Sequence, residues 1–343
     1  MKKKYQNIFF IIGLIVLALM VTQLNFNEVC DGVQRAGYWF IAVVALWAVL
    51  YIFNTSAWWV IINSQSENEA QKQPDVRRSS HVSFLWLYKI TVSGFALNYA
   101  TPGGLMGGEP YKIMSLSPKI GTERATSSVI LHTMTHIFSH FWFWLISCVL
   151  FVMTEPLTIL TSSLLFVVTA FCLTAIWFFI KGYKKGIACS MMAVLSHIPF
   201  IKAWAQRMTE RYSDNLTTID HQIASLHNQN RRTFVLAVLL ELSCRIISAL
   251  EIMFVLLVIM PEVNYIQCIL ILAFTSLIAN MLFFIPLQLG GREGGFLMSV
   301  NGLGMTASAG IFVALIVRLR ELIWTGIGLL LIKIESSNKK TTT

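Results

Sequence analysis

Long apolar stretches alternate with short polar ones along most of the chain. A helix that crosses a bilayer needs about 20 apolar residues. Stretches of that kind cover residues 8–24, 37–62, 125–153, 157–180, 233–260 and 307–332. Two further apolar stretches, 82–100 and 264–285, run directly into segments rich in glycine and proline. The pattern therefore predicts an all-α polytopic membrane protein with about six full crossings and two interrupted elements.

The two glycine- and proline-rich segments resemble each other. In each of them a proline is followed by a Gly-Gly pair, and a glutamate comes at once or one residue later. Irregular backbone at membrane depth is tolerated only where protein or water covers it, so both segments are expected to line a cavity. Their similarity indicates a weak internal repeat. The backbone residues that define the two predicted hairpins are Pro102, Gly107, Gly108, Pro286, Gly290 and Gly291.

The distribution of basic residues predicts how the chain crosses the membrane. If every apolar stretch were a simple crossing, the basic connection 181–232 would lie outside, against the positive-inside rule. That connection moves inside if 82–120 is a re-entrant hairpin on the cytoplasmic side. With 264–306 as a second hairpin on the outer side, both termini are cytoplasmic. The expected architecture is one membrane domain over 1–343 with the hairpins in an inverted repeat, as in transporters.

The basic connection itself has a helical pattern. Apolar residues recur every three or four positions over 198–230. This periodicity predicts an amphipathic helix at the cytoplasmic interface. A helix that packs against the bundle would show the same pattern, and the two interpretations stay open.

Composition agrees with a membrane protein and excludes several other classes. Hydrophobic residues make up 56% of the chain and charged residues only 13%, which excludes a soluble enzyme and a disordered chain. The net charge of +9 fits basic loops near anionic lipid headgroups. No basic cluster has a folded domain around it, so nucleic acid is not an expected partner. No motif indicates a cofactor, and the cysteines form no CxxC pair that would indicate a metal site.

Charged residues within or beside the apolar stretches are the candidate site. Ionisable residues inside a membrane are functional by default, and helix N-termini that follow the two hairpins would attract an anion. Lys112 and Arg292 are therefore expected to hold a lipid phosphate, while nearby glutamates tune them or carry protons. In the alternative, each glutamate caps its own helix and Arg292 pairs with a glutamate. The candidate substrate-binding residues are Glu109, Lys112, Arg292, Glu293, Arg318 and Glu321.

Two further polar patterns lie inside predicted spans. His132, His136 and His140 are spaced by four and share one face of a helix. They are expected to form a polar seam that faces the bundle, with a proton relay and a metal site as alternatives. Glu241 and Arg245 are also four apart, and this spacing predicts an ion pair within one helix.

The motifs together resemble those of a known family. Pro102 to Lys112, with Gly-Glu followed three residues later by a base, is similar to the first motif of the lysylphosphatidylglycerol synthase transmembrane-region family. The segment 290–294 resembles its second motif, and 302–321 is similar to its final helix. The resemblance covers about 8–332. It implies a flippase-like protein of the bacterial inner membrane that moves or accommodates lipids.

The expected function is that of a lipid translocase for a lipid with an anionic phosphate headgroup. Some members of the family carry an aminoacyl transferase domain, which this sequence is not expected to contain, so a transporter is favoured over an enzyme. An intramembrane transferase or hydrolase that uses Glu109 or Glu293 as a base is one alternative. The other is a scaffold that presents a lipid to a separately encoded lipid-modifying enzyme. The expected partners are therefore membrane lipids and such an enzyme.

Overall fold

The computed structural model describes residues 26–72, 82–100, 107–185, 202, 209, 231–281 and 291–338. These residues form helices and no strands, which confirms the all-α part of the predicted fold class. The predicted span 8–24, most of the connection 181–232, and the hairpin residues Pro102, Pro286 and Gly290 lie outside the described residues. The helices are α1 (Phe26–Ala36), α2 (Tyr38–Lys72), α3 (Phe84–Ala100), α4 (Gly108–Ile120), α5 (Thr122–Thr154), α6 (Ile159–Lys185), α7 (Arg231–Leu256), α8 (Tyr265–Met281), α9 (Gly291–Gly302) and α10 (Ala307–Asn338).

Four of the described helices are long and apolar enough to cross a membrane, namely α2, α5, α6 and α7. Each coincides with a stretch that the sequence predicts to be a crossing. Helix α10 has 32 residues, which at 1.5 Å per residue is about 48 Å and enough to cross. Three charged residues lie in its middle, at Arg318, Arg320 and Glu321. The total number of crossings and the re-entrant character of the hairpins stay predictions.

The described helices include two units of four helices, and in each unit two short helices lie between two long ones in the sequence. In α2–α5 the lengths are 35, 17, 13 and 33 residues. In α7–α10 they are 26, 17, 12 and 32 residues. The packing partners correspond as well, because α3 packs on α10 while α8 packs on α5, and α2 and α7 pack on each other. The similarity between two short segments of the sequence thus extends to two four-helix units.

Apolar side chains of the two units pack together in two large clusters. One cluster contains Trp58 of α2 together with Leu329 of α10. The other contains Ile252 of α7 together with Phe143 of α5. Each cluster thus includes residues from both units.

The short helices pack backbone to backbone against their neighbours. A Cβ atom on Gly108 of α4 would lie 2.1 Å from the carbonyl oxygen of Gly94 in α3. A Cβ atom on Gly295 of α9 would lie 3.2 Å from the Cα atom of Thr275 in α8. Glycine allows this approach because it has no side chain, as at helix contacts in membranes generally.

Contacts at helix ends define two opposite faces of the bundle. Arg124, near the start of α5, donates to the carbonyl oxygen of Ile62 in α2 at 3.1 Å. Thr233, near the start of α7, donates to Ser64 of α2 at 3.1 Å. We call this end the Arg124 face. At the other end of α5, Gln267 near the start of α8 donates to Glu155 at 3.2 Å, and we call that end the Glu155 face.

The pair of short helices α3 and α4 begins and ends at one face of the bundle, and the pair α8 and α9 begins and ends at the opposite face. The ring of Phe84, where α3 begins, contacts the ring of Trp59 near the Arg124 face, and α4 ends immediately before α5 begins there. Helix α8 begins at the Glu155 face. Leu303, just after α9, packs in the same apolar cluster as Phe151 near the end of α5. Each pair thus starts and finishes at one face of the bundle.

Candidate functional site

A cavity of about 340 Å³ lies between the two units. Its wall contains residues from α2, α3 and α5 of the first unit and from α7, α8, α9 and α10 of the second. Aromatic side chains, among them Trp47, Phe95 and Trp324, cover part of the wall. Its ionisable residues are Tyr51, Tyr99, His136, His140, Glu241, Cys244, Arg245, Glu251, Arg292, Arg320 and Glu321.

Arg292 and Glu321 form an ion pair in the wall of this cavity. Arg292 is the second residue of α9, and Glu321 lies in the middle of α10. The hydroxyl of Tyr99, at the end of α3, donates to the other carboxylate oxygen of Glu321. The Glu321 side chain is 5% exposed and the Arg292 side chain 31% exposed. Arg292 is therefore the member of the pair that a ligand in the cavity can reach.

Arg318 joins the same network from a neighbouring position. It pairs with Glu293 of α9 and also donates to the hydroxyl of Tyr99. Arg318 lies in a small recess beside the cavity, and the recess shares Arg292 and Glu321 with the cavity wall. The network thus connects the end of α3, the start of α9 and the middle of α10.

A second arginine of α10 is fixed by two hydrogen bonds. Arg320 donates to both oxygens of Glu251 in α7, at 2.7 and 2.9 Å. Trp47 of α2 donates to Glu251 at 3.0 Å, and its ring lies 3.8 Å from the Arg320 guanidinium. The buried guanidinium and carboxylate thus have each other as charged hydrogen-bond partners, which buried charges require.

The start of α4 is held by a different set of polar contacts. The backbone N–H of Gly108 donates to the side-chain oxygen of Asn98 at 2.7 Å. Glu109 accepts from Asn98, from Lys112 and from Thr133 of α5, each at 3.1 Å. The side chain of Lys112 is 2% exposed. Neither Glu109 nor Lys112 is among the described residues that line the cavity.

These contacts have the same arrangement in both units. Glu109 lies at the start of α4 and meets Thr133, while Glu293 lies at the start of α9 and meets Arg318. Thr133 and Arg318 occupy the twelfth position of α5 and of α10, which begin at Thr122 and Ala307. A glutamate therefore fixes the first turn of each short helix to the middle of the long helix that follows.

The histidine seam faces α7. His136 Nδ1 lies 2.8 Å from one oxygen of Glu241, and His132 Nε2 lies 3.2 Å from the other. Arg245 donates to Ser139 at 2.8 Å and to the carbonyl oxygen of His136 at 3.0 Å. The expected ion pair between Glu241 and Arg245 within one helix is wrong, because both side chains bind α5 instead.

Residues 8–328 of the chain match a known protein family, described as Lysylphosphatidylglycerol synthase TM region. The chain belongs to this family. No curated protein and no solved structure matches the chain significantly. The family is that of a membrane region, and four described helices are long and apolar enough to span a bilayer, so the chain is an integral membrane protein.

The structure places the sequence-predicted residues of this family member in two groups. Arg292 and Glu321 lie in the cavity wall, as do His136 and His140. The remaining candidates surround the cavity at the starts of α4 and α9, in the middle of α10 and, for His132, in α5. Among the described residues, no group of three metal-ligating side chains is placed to hold a metal ion.

Sequence reasoning missed several residues of the site, among them Asn98, Tyr99 and Trp47. Asn98 and Tyr99 immediately precede the first glycine- and proline-rich segment. Their position next to that segment was the available signal, because polar side chains at the end of an apolar helix are placed to satisfy the irregular backbone beyond it. Trp47 lies within a uniformly apolar stretch, where no sequence pattern distinguishes it.

Proposed function

We propose that this protein is a membrane lipid translocase, a flippase-like transporter for a lipid with an anionic phosphate headgroup. The observation that carries the proposal is the arginine-containing cavity between the two repeated units. A polar cavity inside a bundle of span-length helices gives a charged headgroup a place to reside within the membrane. The family membership agrees with a membrane domain that handles lipids.

The size of the cavity supports a headgroup as its occupant. Sites for small molecules are typically about 300–1,000 Å³, and this cavity, at about 340 Å³, is at the lower end of that range. It is large enough for a phosphate with a small alcohol attached. The acyl chains would then remain in the lipid outside, so that only the polar part of the lipid passes through protein.

Phosphate binding would proceed by exchange of one anion for another. Arg292 already binds the carboxylate of Glu321 and is the more exposed partner. A guanidinium binds phosphate and carboxylate with the same paired geometry, so a headgroup phosphate can displace Glu321 from Arg292. Glu321 keeps Tyr99 as a hydrogen-bond donor when this happens, which limits the cost of the exchange.

The arrangement of the helix pairs supports movement by alternating access. The α3–α4 pair starts and finishes at the Arg124 face, and the α8–α9 pair at the Glu155 face. This is the arrangement expected of two re-entrant hairpins in an inverted repeat. Rocking of one unit against the other would open the cavity to each side in turn. In this proposal the Arg124 face is cytoplasmic, both termini are cytoplasmic, and the membrane is the bacterial inner membrane.

The test is a transport assay with the purified chain in phosphatidylcholine vesicles. Phosphatidylglycerol or phosphatidylcholine, each labelled on its tail with a fluorophore, serves as the probe, and external dithionite reports transbilayer movement. We expect faster movement of the phosphatidylglycerol probe. A hydrogen bond to a charged group contributes about 1.5–3 kcal/mol, so Arg292→Gln is expected to slow the probe by roughly 10- to 100-fold.

Two further variants separate a binding defect from a folding defect. The double variant Arg292→Gln, Glu321→Gln removes both charges of the ion pair, so that Glu321 is not left as an unpaired carboxylate. Its transport should nevertheless remain slow, because the arginine that binds the phosphate is absent. Arg35→Gln makes the same change at an exposed position of α1 outside the cavity, and its transport should be normal. Unchanged transport in folded Arg292→Gln protein would contradict the proposed site.

Analysis of the recovered lipid distinguishes the other functions. A covalently changed probe would identify an intramembrane enzyme that uses Glu109 or Glu293 as a base. Probe that is retained by the purified protein, but neither moved nor changed, would identify a lipid-presenting scaffold for a separate enzyme. Mass spectrometry of the extracted lipid after the transport assay separates these results.

A further inference from the structure

The carboxylate of Glu241 lies between two imidazoles in the interior of the bundle. Its side chain is 1% exposed, and its two oxygens lie 2.8 Å from His136 and 3.2 Å from His132. We call Glu241, His132 and His136 the triad. A buried carboxylate is normally paired with a cation. Here its nearest partners are side chains that carry a charge only when they are protonated.

The charged groups around the triad are engaged with other partners. Arg245, on the same helix as Glu241, donates to Ser139 and to the carbonyl oxygen of His136. Lys112 of α4 binds Glu109 of the same helix at 3.1 Å. Further titratable neighbours among the described residues are His140 of α5, whose ring centre is 5.4 Å from that of His136, and Cys244 of α7.

Two buried polar atoms near the triad, Nδ1 of His140 and Oδ1 of Asn54, have no hydrogen-bond partner. Oε1 of Glu241 and Nε2 of His132 have only their 3.2 Å contact with each other. Glu241, His140 and Asn54 belong to the wall of the cavity that also contains Arg292. Such atoms cost free energy while they stay unsatisfied. An additional proton on the triad would place a charged imidazolium beside the Glu241 carboxylate, and a hydrogen bond between two charged groups is stronger than one from a neutral imidazole.

We propose that the triad is a proton-binding site and that it takes up one proton when an anionic headgroup occupies the cavity. Without the proton the triad has one negative charge, and with it the triad is neutral. The phosphate and the unprotonated triad would repel each other, because charges interact more strongly inside a protein than in bulk water. Binding of the phosphate therefore favours protonation, and protonation favours binding of the phosphate to the same extent.

This inference rests on the proposed function, which supplies the lipid ligand. It adds that a proton is the ion coupled to lipid movement. A proton that accompanies an anionic headgroup cancels its charge, so the pair moves without work against the membrane potential, which is about 2.3 kcal/mol per charge per 100 mV. A pH gradient would then set the direction of net lipid movement.

The test measures protons taken up on binding. The full chain in phosphatidylcholine nanodiscs is titrated calorimetrically with dihexanoyl phosphatidylglycerol, in two buffers of different ionisation enthalpy. We expect an uptake of about one proton per lipid bound. Glu241→Gln should bind the lipid with almost no proton uptake, and Glu262→Gln, at an exposed turn after α7, should behave as wild type. His136→Gln tests the same site while keeping a hydrogen-bond donor beside Glu241.

The outcomes separate this inference from the proposed function. Binding without proton uptake in the wild type, or uptake that persists in both triad variants, would overturn the proton site and leave the lipid site intact. A failure of the lipid to bind at all would contradict the proposed function. In that case, nitrogen NMR of labelled histidine still tests the triad. The His136 signals should shift in Glu241→Gln, since His136 Nδ1 lies 2.8 Å from that carboxylate, and unchanged His136 signals would overturn the inference.

Discussion

Arg292 at the start of α9 reaches the carboxylate of Glu321 in the middle of α10, so that the first turn of a short helix is fixed to a long one. The pair also forms part of the cavity wall. Its two members differ in accessibility, since Glu321 is buried and Arg292 is partly exposed. The structure thus distinguishes two residues that the sequence grouped together, because Glu321 is buried and Arg292 is partly exposed in the cavity wall.

The packing of α9 on α8 predicts unequal effects for two adjacent glycines. An added Cβ on Gly295 would lie 3.2 Å from the Cα atom of Thr275, whereas one on Gly294 meets nothing within 4 Å. Gly295→Ala should therefore lower the free energy of unfolding by about 1–3 kcal/mol, as overpacking does. Gly294→Ala should be neutral or slightly stabilising, because alanine favours a helix. Thermal unfolding in nanodiscs measures both, and equal effects would contradict the close packing of the two helices.

The buried pair of Glu251 and Arg320 predicts a strongly non-additive result. Removal of one partner leaves the other charge buried, which costs about 3–5 kcal/mol. Glu251→Gln alone should therefore destabilise the protein more than the double variant Glu251→Gln, Arg320→Gln. Unfolding in mixed micelles of increasing SDS content measures these two variants and Arg320→Gln against the wild type. Additive losses would show that the two hydrogen bonds do not couple the residues.

The hydroxyl of Tyr99 should contribute more to stability than that of Tyr88, another partly buried tyrosine. It contacts two ionised side chains, Glu321 and Arg318, and hydrogen bonds to charged groups contribute about 1.5–3 kcal/mol. Tyr88 instead donates to the carbonyl oxygen of Ala48 at 3.1 Å, a neutral bond worth about 0.5–1.5 kcal/mol. Tyr99→Phe should lower the unfolding temperature more than Tyr88→Phe, and the reverse order would contradict this network.

The proposed topology predicts which positions are accessible from each side of the membrane. On a cysteine-free background, Ser213→Cys in the basic connection should react with a membrane-impermeant thiol reagent only from the cytoplasmic side. Glu262→Cys, in the turn between α7 and α8 near the Glu155 face, should react only from the outside. The positive-inside rule is the physical reason for the first expectation. If the reagent labels Ser213→Cys from the outside, the Arg124 face is not cytoplasmic and the proposed orientation is wrong.

Much of the fold could be predicted from the sequence because helices in lipid must satisfy their own backbone. This requirement makes each span a continuous apolar stretch that is visible in one dimension. The helices α2, α5, α6 and α7 follow such stretches closely. The polar candidates could be found for the same reason, since a charge such as Arg318 is conspicuous in an apolar run. The partner of each charged residue could not be predicted from the sequence, because it comes from another helix, as Glu293 and Tyr99 do for Arg318.

The sequence by itself determined that this chain is a helical membrane protein, where its helices lie, and which family it belongs to. It also indicated an internal repeat through two short glycine-rich segments. Only the tertiary structure decided that Glu241 binds histidines of α5 rather than Arg245, and that Arg292 rather than Lys112 lies in the cavity wall. The physical reason is that hydropathy and helical period are local properties, whereas a buried charge takes its partner from whichever helix packs beside it.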